Sequence, residues 1–110
     1  MVIESVKMEP IVNIINWSIH SVKFSNENRS EHLQGFVPGK IGRVTSAIQA
    51  FEPGTRRITT FSGRVYILVG LPGSCEDAAY VWHFWKKMNG VVYDRNVTDK
   101  YAVQIKKLVM

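Results

Sequence analysis

A glycine-rich turn between an apolar strand and a helix can hold phosphates, and this chain has one candidate. Tyr66-Ile67-Leu68-Val69 runs into Gly70-Leu71-Pro72-Gly73-Ser74 and then into helix-forming sequence. A working phosphate loop continues with a further Gly, then a Lys for the β- and γ-phosphates, then a hydroxyl residue for magnesium. Cys75, Glu76 and Asp77 stand there instead. Two carboxylates where a cation is needed would repel a triphosphate, so no nucleotide binding is expected. A small anion on the helix amides is the remaining chemistry for this turn. A plain strand-to-helix connection is the reading favoured over it.

The other reactive side chains are scattered. Cys75 sits at an expected helix start, where a thiolate is stabilised, but His83 is eight residues along the same helix, about 12 Å away at 1.5 Å per residue. The two cannot form a dyad, and a structural role is expected for the cysteine. His20, His32 and His83 show no metal-ligand spacing with each other or with Cys75. Glu31-His32 is a neighbouring pair that could serve proton transfer, with a surface or packing histidine favoured over it. Neither a catalytic set nor a metal or cofactor site is expected.

The strongest candidate binding surface is Arg57, Phe61, Arg64 and Tyr66. Arginines bind phosphates, and aromatic rings on a sheet can stack bases. The competing reading packs Phe61, Tyr66 and Leu68 beneath another layer, with the arginines as a solvated rim.

The elements that would position these residues are clearest mid-chain. Val44 to Phe51 reads as a strand, with Val44, Ser46, Ile48 and Ala50 on one face. Glu52-Pro53-Gly54-Thr55 is a turn in which Pro presets φ and Gly takes a positive φ. Arg57–Phe61 and Arg64–Val69 are strands joined by a two-residue turn at Ser62-Gly63, completing an antiparallel meander. That turn opposes Ile58 to Ile67 and Thr59 to Tyr66, and gathers Ile58, Val65, Ile67 and Val69 on the core face. A helix follows over about 74–89, with Ser74 as N-cap, acids in its first turn and Asn89-Gly90 as its stop. Its inward stripe is Ala78, Val81, Trp82, Trp85 and Met88.

The flanks are less specific. Ile11 to Phe24 suits one or two strands. Asn26–Glu31 reads as a loop and Leu33–Val37 as a short strand. Thr98 could cap a helix that turns Tyr101, Ile105 and Leu108 inward, and Val103–Val109 is an alternative edge strand.

Composition sets the class. The chain has 110 residues, of which 45% are hydrophobic and 21% charged, with a net charge of +5. This describes one ordinary globular domain. The lone cysteine cannot form an internal disulfide and leans toward a reducing, cytoplasmic setting. Met1 to Pro10 has no apolar leader core, and no apolar run reaches the ~18 residues of a membrane span. Asn96-Val97-Thr98 matches a glycosylation sequon and is read as chance. Residues 41–73 carry four arginines against one glutamate, a balance that permits contact with nucleic acid or an acidic protein.

Gly42-Arg43-Val44-Thr45-Ser46-Ala47-Ile48, the run Ser62-Gly63-Arg64-Val65-Tyr66-Ile67-Leu68-Val69-Gly70-Leu71-Pro72-Gly73, and Tyr80-Val81-Trp82 together resemble a group of small uncharacterised bacterial and prophage-type proteins. The resemblance spans about residues 35–90. No activity is known for that group, so it implies a bacterial or phage setting and no site residues. The expectation is a small α+β domain, with a mostly antiparallel sheet or partly open barrel and one helix across it. The expected function is a non-enzymatic protein-interaction or accessory module. A nucleic-acid-binding module on the Arg57, Phe61, Arg64, Tyr66 face is the alternative, and an enzyme with a site assembled only in three dimensions is third.

Overall fold

The computed structural model describes residues 5–108. The first four positions of the stretch read as leaderless, and Val109 of the alternative edge strand, lie outside the described residues. Strands β1 (Ile11–Phe24), β2 (Arg29–Phe36), β3 (Gly42–Glu52), β4 (Arg57–Thr60), β5 (Val65–Leu68) and β6 (Val91–Asn96) form one six-stranded sheet. Helix α1 (Glu76–Met88) lies between β5 and β6 in sequence, and α2 (Thr98–Leu108) follows β6. The fold is therefore mixed α+β, with a mostly antiparallel sheet that is partly closed without becoming a barrel.

The curl of the sheet comes from β1. Its β-branched residues favour extended backbone, and Ile11–Ile14 pair in parallel with β5. Asn16 then takes φ 48°, and the register shifts between Ile15 and Ser18. Beyond this bend the strand pairs antiparallel with β2 on one side and β6 on the other. Inside the curl lie Val12, Ile14, Trp17, Ile19, Leu33, Val37, Ile58, Tyr66 and Leu68, closed off by Val97 and Tyr101. Helix α2 thus turns Tyr101 and Ile105 inward as expected, while Leu108 is exposed. Thr98 is not the cap. Its amide donates to Asn96 Oδ1 at 2.9 Å, and its hydroxyl accepts from the Ile19 amide at 2.9 Å.

Helix α1 covers the opposite face of the sheet, burying Ala78 and Trp82. The helix start presses onto β3 so closely that a Cβ at Gly42 would lie 2.4 Å from the Ala78 nitrogen. Only glycine fits that crossing. The N-cap is Cys75 rather than Ser74, and its Sγ accepts from the Ala78 amide at 3.4 Å.

The antiparallel meander β3-β4-β5 is present, but its register differs by one residue from the expectation. Ile58 pairs with Tyr66, Arg57 with Ile67 and Thr59 with Val65. The cause is the turn. Gly63 adopts φ 93°, its amide donates to Thr60 O at 2.8 Å, and the Thr60 amide donates to Arg64 O at 3.1 Å. These bonds close a three-residue loop, Phe61-Ser62-Gly63, with glycine in the left-handed position. A one-residue slip exchanges faces. Tyr66 and Leu68 therefore join Ile58 in the core, Val65 and Ile67 are half-buried, and Val69 is exposed. The β3–β4 turn also differs. Arg56, not Gly54, takes the positive φ, at 59°, and its Nε donates to Leu68 O at 2.6 Å. β2 begins at Arg29, inside the segment read as a loop.

Candidate functional site

The register slip disperses the surface expected from the sequence. Tyr66 is 3% exposed and belongs to the core. Arg57, paired with Ile67, lies on the opposite face of the sheet. Arg64 is buried, and its Nε donates to the Glu9 carbonyl at 2.9 Å. Phe61 stands alone at the turn tip, 74% exposed. No single ligand could touch all four.

The glycine-rich turn is tied back onto the bend in β1. The Gly70 carbonyl accepts from Trp17 Nε1 at 3.2 Å and also from the Arg56 guanidinium, while the Gly73 amide donates to Trp17 O at 2.9 Å. The turn thus serves as a brace, with Glu76 and Asp77 in the first turn of α1. Titration calorimetry with magnesium ATP or GTP is expected to give no heat of binding. Micromolar affinity abolished by Gly73→Ala would reverse that reading.

Glu31 and His32 are neighbours in sequence but occupy opposite faces of β2, as alternate strand residues must. Glu31 accepts from Tyr101 Oη and from Lys100 Nζ on the α2 face. Burial pushes its carboxyl up, but those two donors and the nearby Lys100 and Arg95 charges hold it below the usual range. Burial and the Glu31 carboxylate push the Tyr101 hydroxyl well above the ordinary tyrosine value.

His32 faces α1. Its Nδ1 lies 2.8 Å from Thr45 O, an acceptor only, so Nδ1 carries the proton. Nε2 is then left to accept from the Ser30 hydroxyl at 2.6 Å. This serine–histidine–carbonyl order is that of an activated nucleophile. The ring, however, is buried beneath Trp85, with centroids 4.5 Å apart, and beside the edge of Phe24. An acyl substrate would have to displace Trp85. Burial holds the His32 proton affinity down, against the opposing pull of the Thr45 carbonyl.

His20, the cross-strand partner of His32, packs 4.9 Å from Trp82. Its Nδ1 lies 3.6 Å from Asp94, which Lys86 Nζ holds at 3.0 Å. Burial lowers the His20 proton affinity, Asp94 opposes that shift, and Lys86 reinforces it. The stacked Trp82 and Trp85 rings, 5.3 Å apart, join the two histidines into one packed layer. Among the described residues, no three His, Cys, Asp or Glu side chains gather where they could hold a metal ion. Among the same residues, no helix is long and apolar enough to cross a membrane.

The outward side of α1 was not legible as a surface. Tyr80, Phe84 and Met88 recur every fourth residue and are 67%, 45% and 84% exposed. With Val81 and Trp85 they line an open apolar depression of about 480 Å3. Met88, read as inward, belongs to this outer face. The i, i+4, i+8 spacing was the available signal, obscured by the second apolar stripe beside it. Comparison with protein-family models, curated proteins and solved structures finds no match.

Proposed function

We propose that this protein is a non-enzymatic protein-interaction module that docks a partner through the outer face of α1. The observation that carries this reading is the row of Tyr80, Phe84 and Met88, large apolar side chains left open to solvent on one helix. Contiguous exposed apolar surface of this kind marks contact sites. Lys87 beside the row is exposed, and Lys86 is half-buried. An amphipathic helix with an acidic flank is the partner chemistry that fits, laid alongside α1 with ridges in grooves. A reducing cytoplasmic setting belongs to this reading, consistent with a lone cysteine used as a helix cap.

The test is recovery of a partner from the native host, followed by affinity measurement with purified components. Phe84→Glu is expected to weaken that complex by roughly 30-fold, the scale of an aromatic anchor, while leaving the thermal midpoint nearly unchanged. A partner held equally by wild type and variant would overturn the assignment. A wild-type dimer that the substitution renders monomeric would make a second copy the occupant.

A further inference from the structure

The other face of the sheet carries a groove of different chemistry. Ser21, Lys23, Arg29, Tyr93 and Arg95 line a cavity of about 580 Å3, open to solvent. Strand register explains the gathering. Lys23 of β1 opposes Arg29 of β2 and Tyr93 of β6, and Ser21 in the next row opposes Glu31 and Arg95. Three cations and an aromatic ring thus converge from the β1–β2 hairpin and from β6, which is distant from it in sequence.

This arrangement is unfavourable for folding alone, because like charges directly opposed across a strand pair destabilise it. Lys23 finds Glu27 at 2.9 Å. Arg29 and Arg95 have no ion pair within 4 Å among the described residues, although the Arg95 charge reaches Glu31. Glu31 itself is occupied by Lys100 and Tyr101, so its charge does not cancel the groove. Tyr93 is 54% exposed on edge strand β6.

We propose that this groove binds single-stranded nucleic acid. Arg29 and Arg95 take phosphates, and Tyr93, two residues from Arg95 on β6, stacks one base. Cations flanking an exposed aromatic ring are the combination that single strands require, and the ring accepts any base. Strands lie about 4.8 Å apart and residues advance about 3.4 Å each, so the two arginine positions are about 12 Å apart diagonally. The groove opens on the face opposite α1, with Tyr93 on the edge strand also bordering the His83, Lys86 and Lys87 side.

The experiment is fluorescence anisotropy of a labelled oligouridylate of about 12 nucleotides, within the usual footprint of such sites, titrated at several salt concentrations. Wild type is expected to bind, with affinity falling as salt rises. Arg29→Gln with Arg95→Gln is expected to reduce the logarithmic salt slope by about 1.4, two single-strand phosphate contacts. Tyr93→Ala is expected to weaken binding about 5- to 150-fold at unchanged slope. Lys106→Gln with Lys107→Gln, at the far end of α2, is the control and leaves binding unchanged. The substituted side chains are exposed, and circular dichroism verifies folding. Absence of binding at about 50 mM salt would overturn the proposal, as would full affinity in the double arginine variant. Equal affinity for polyglutamate would also overturn it, because the groove would then be a general anion patch.

Discussion

Trp82→Ala is expected to remove about 3–5 kcal/mol of folding stability, the range for truncating a buried tryptophan. Trp82 is the large buried side chain of α1, stacked on Trp85 and packed on His20. A domain of this size has about 5–15 kcal/mol in total, so the loss takes a large share of it and raises the unfolded population at rest. Urea denaturation followed by circular dichroism measures the loss, and Trp82→Phe provides a milder step if Ala leaves no folded baseline. Trp85→Ala should cost less, because Trp85 is half-buried. An unchanged urea midpoint in Trp82→Ala would mean that α1 is not held by this contact.

Stability should also fall in mild acid. His20 and His32 both have proton affinities lowered by burial in the folded protein. The unfolded chain takes up both protons as pH drops through about 6.5, whereas the folded chain resists until lower pH. Their contribution is therefore complete above about pH 6.5 and is lost as pH falls toward the folded values. The slope is at most about 1.4 kcal/mol per pH unit for each histidine. Glu31 adds to the loss further down. Its lowered carboxyl stabilises the fold above the unfolded value of 4.5 and ceases to do so as pH falls through the folded one. Urea midpoints at about pH 8, 6.5 and 5 measure the effect. A flat profile over that range would mean that both imidazoles protonate without disturbing the Trp82–Trp85 layer.

The parts of the fold written in local chemistry were legible. Helix α1 declared itself through Glu76 and Asp77 at its start, Lys86 and Lys87 at its end, and the Asn89-Gly90 stop, where Gly90 takes φ 66°. The meander followed from turn residues. Register was not legible, because Ser62-Gly63 serves a two-residue and a three-residue turn equally well, and that single residue moved Tyr66 into the core. β6 was missed altogether. Val91-Val92-Tyr93-Asp94-Arg95-Asn96 has no alternation, and its exposed residues outnumber its partly buried ones. The groove depends on β6 meeting β1, a pairing between segments about 70 residues apart. Nothing near Lys23 announces Tyr93.

The bent strand β1 has a consequence for how the chain is made. It emerges before the other five described strands, yet its first half waits for β5 and its far edge waits for β6. Until residue 96 has left the ribosome, one side of Ile19–Phe24 has only water or another chain to pair with. Non-local parallel closure is slow, and open strand edges recruit other chains. A translational pause placed after the β1–β2 hairpin is therefore expected to leave that edge open longest and to lower soluble yield.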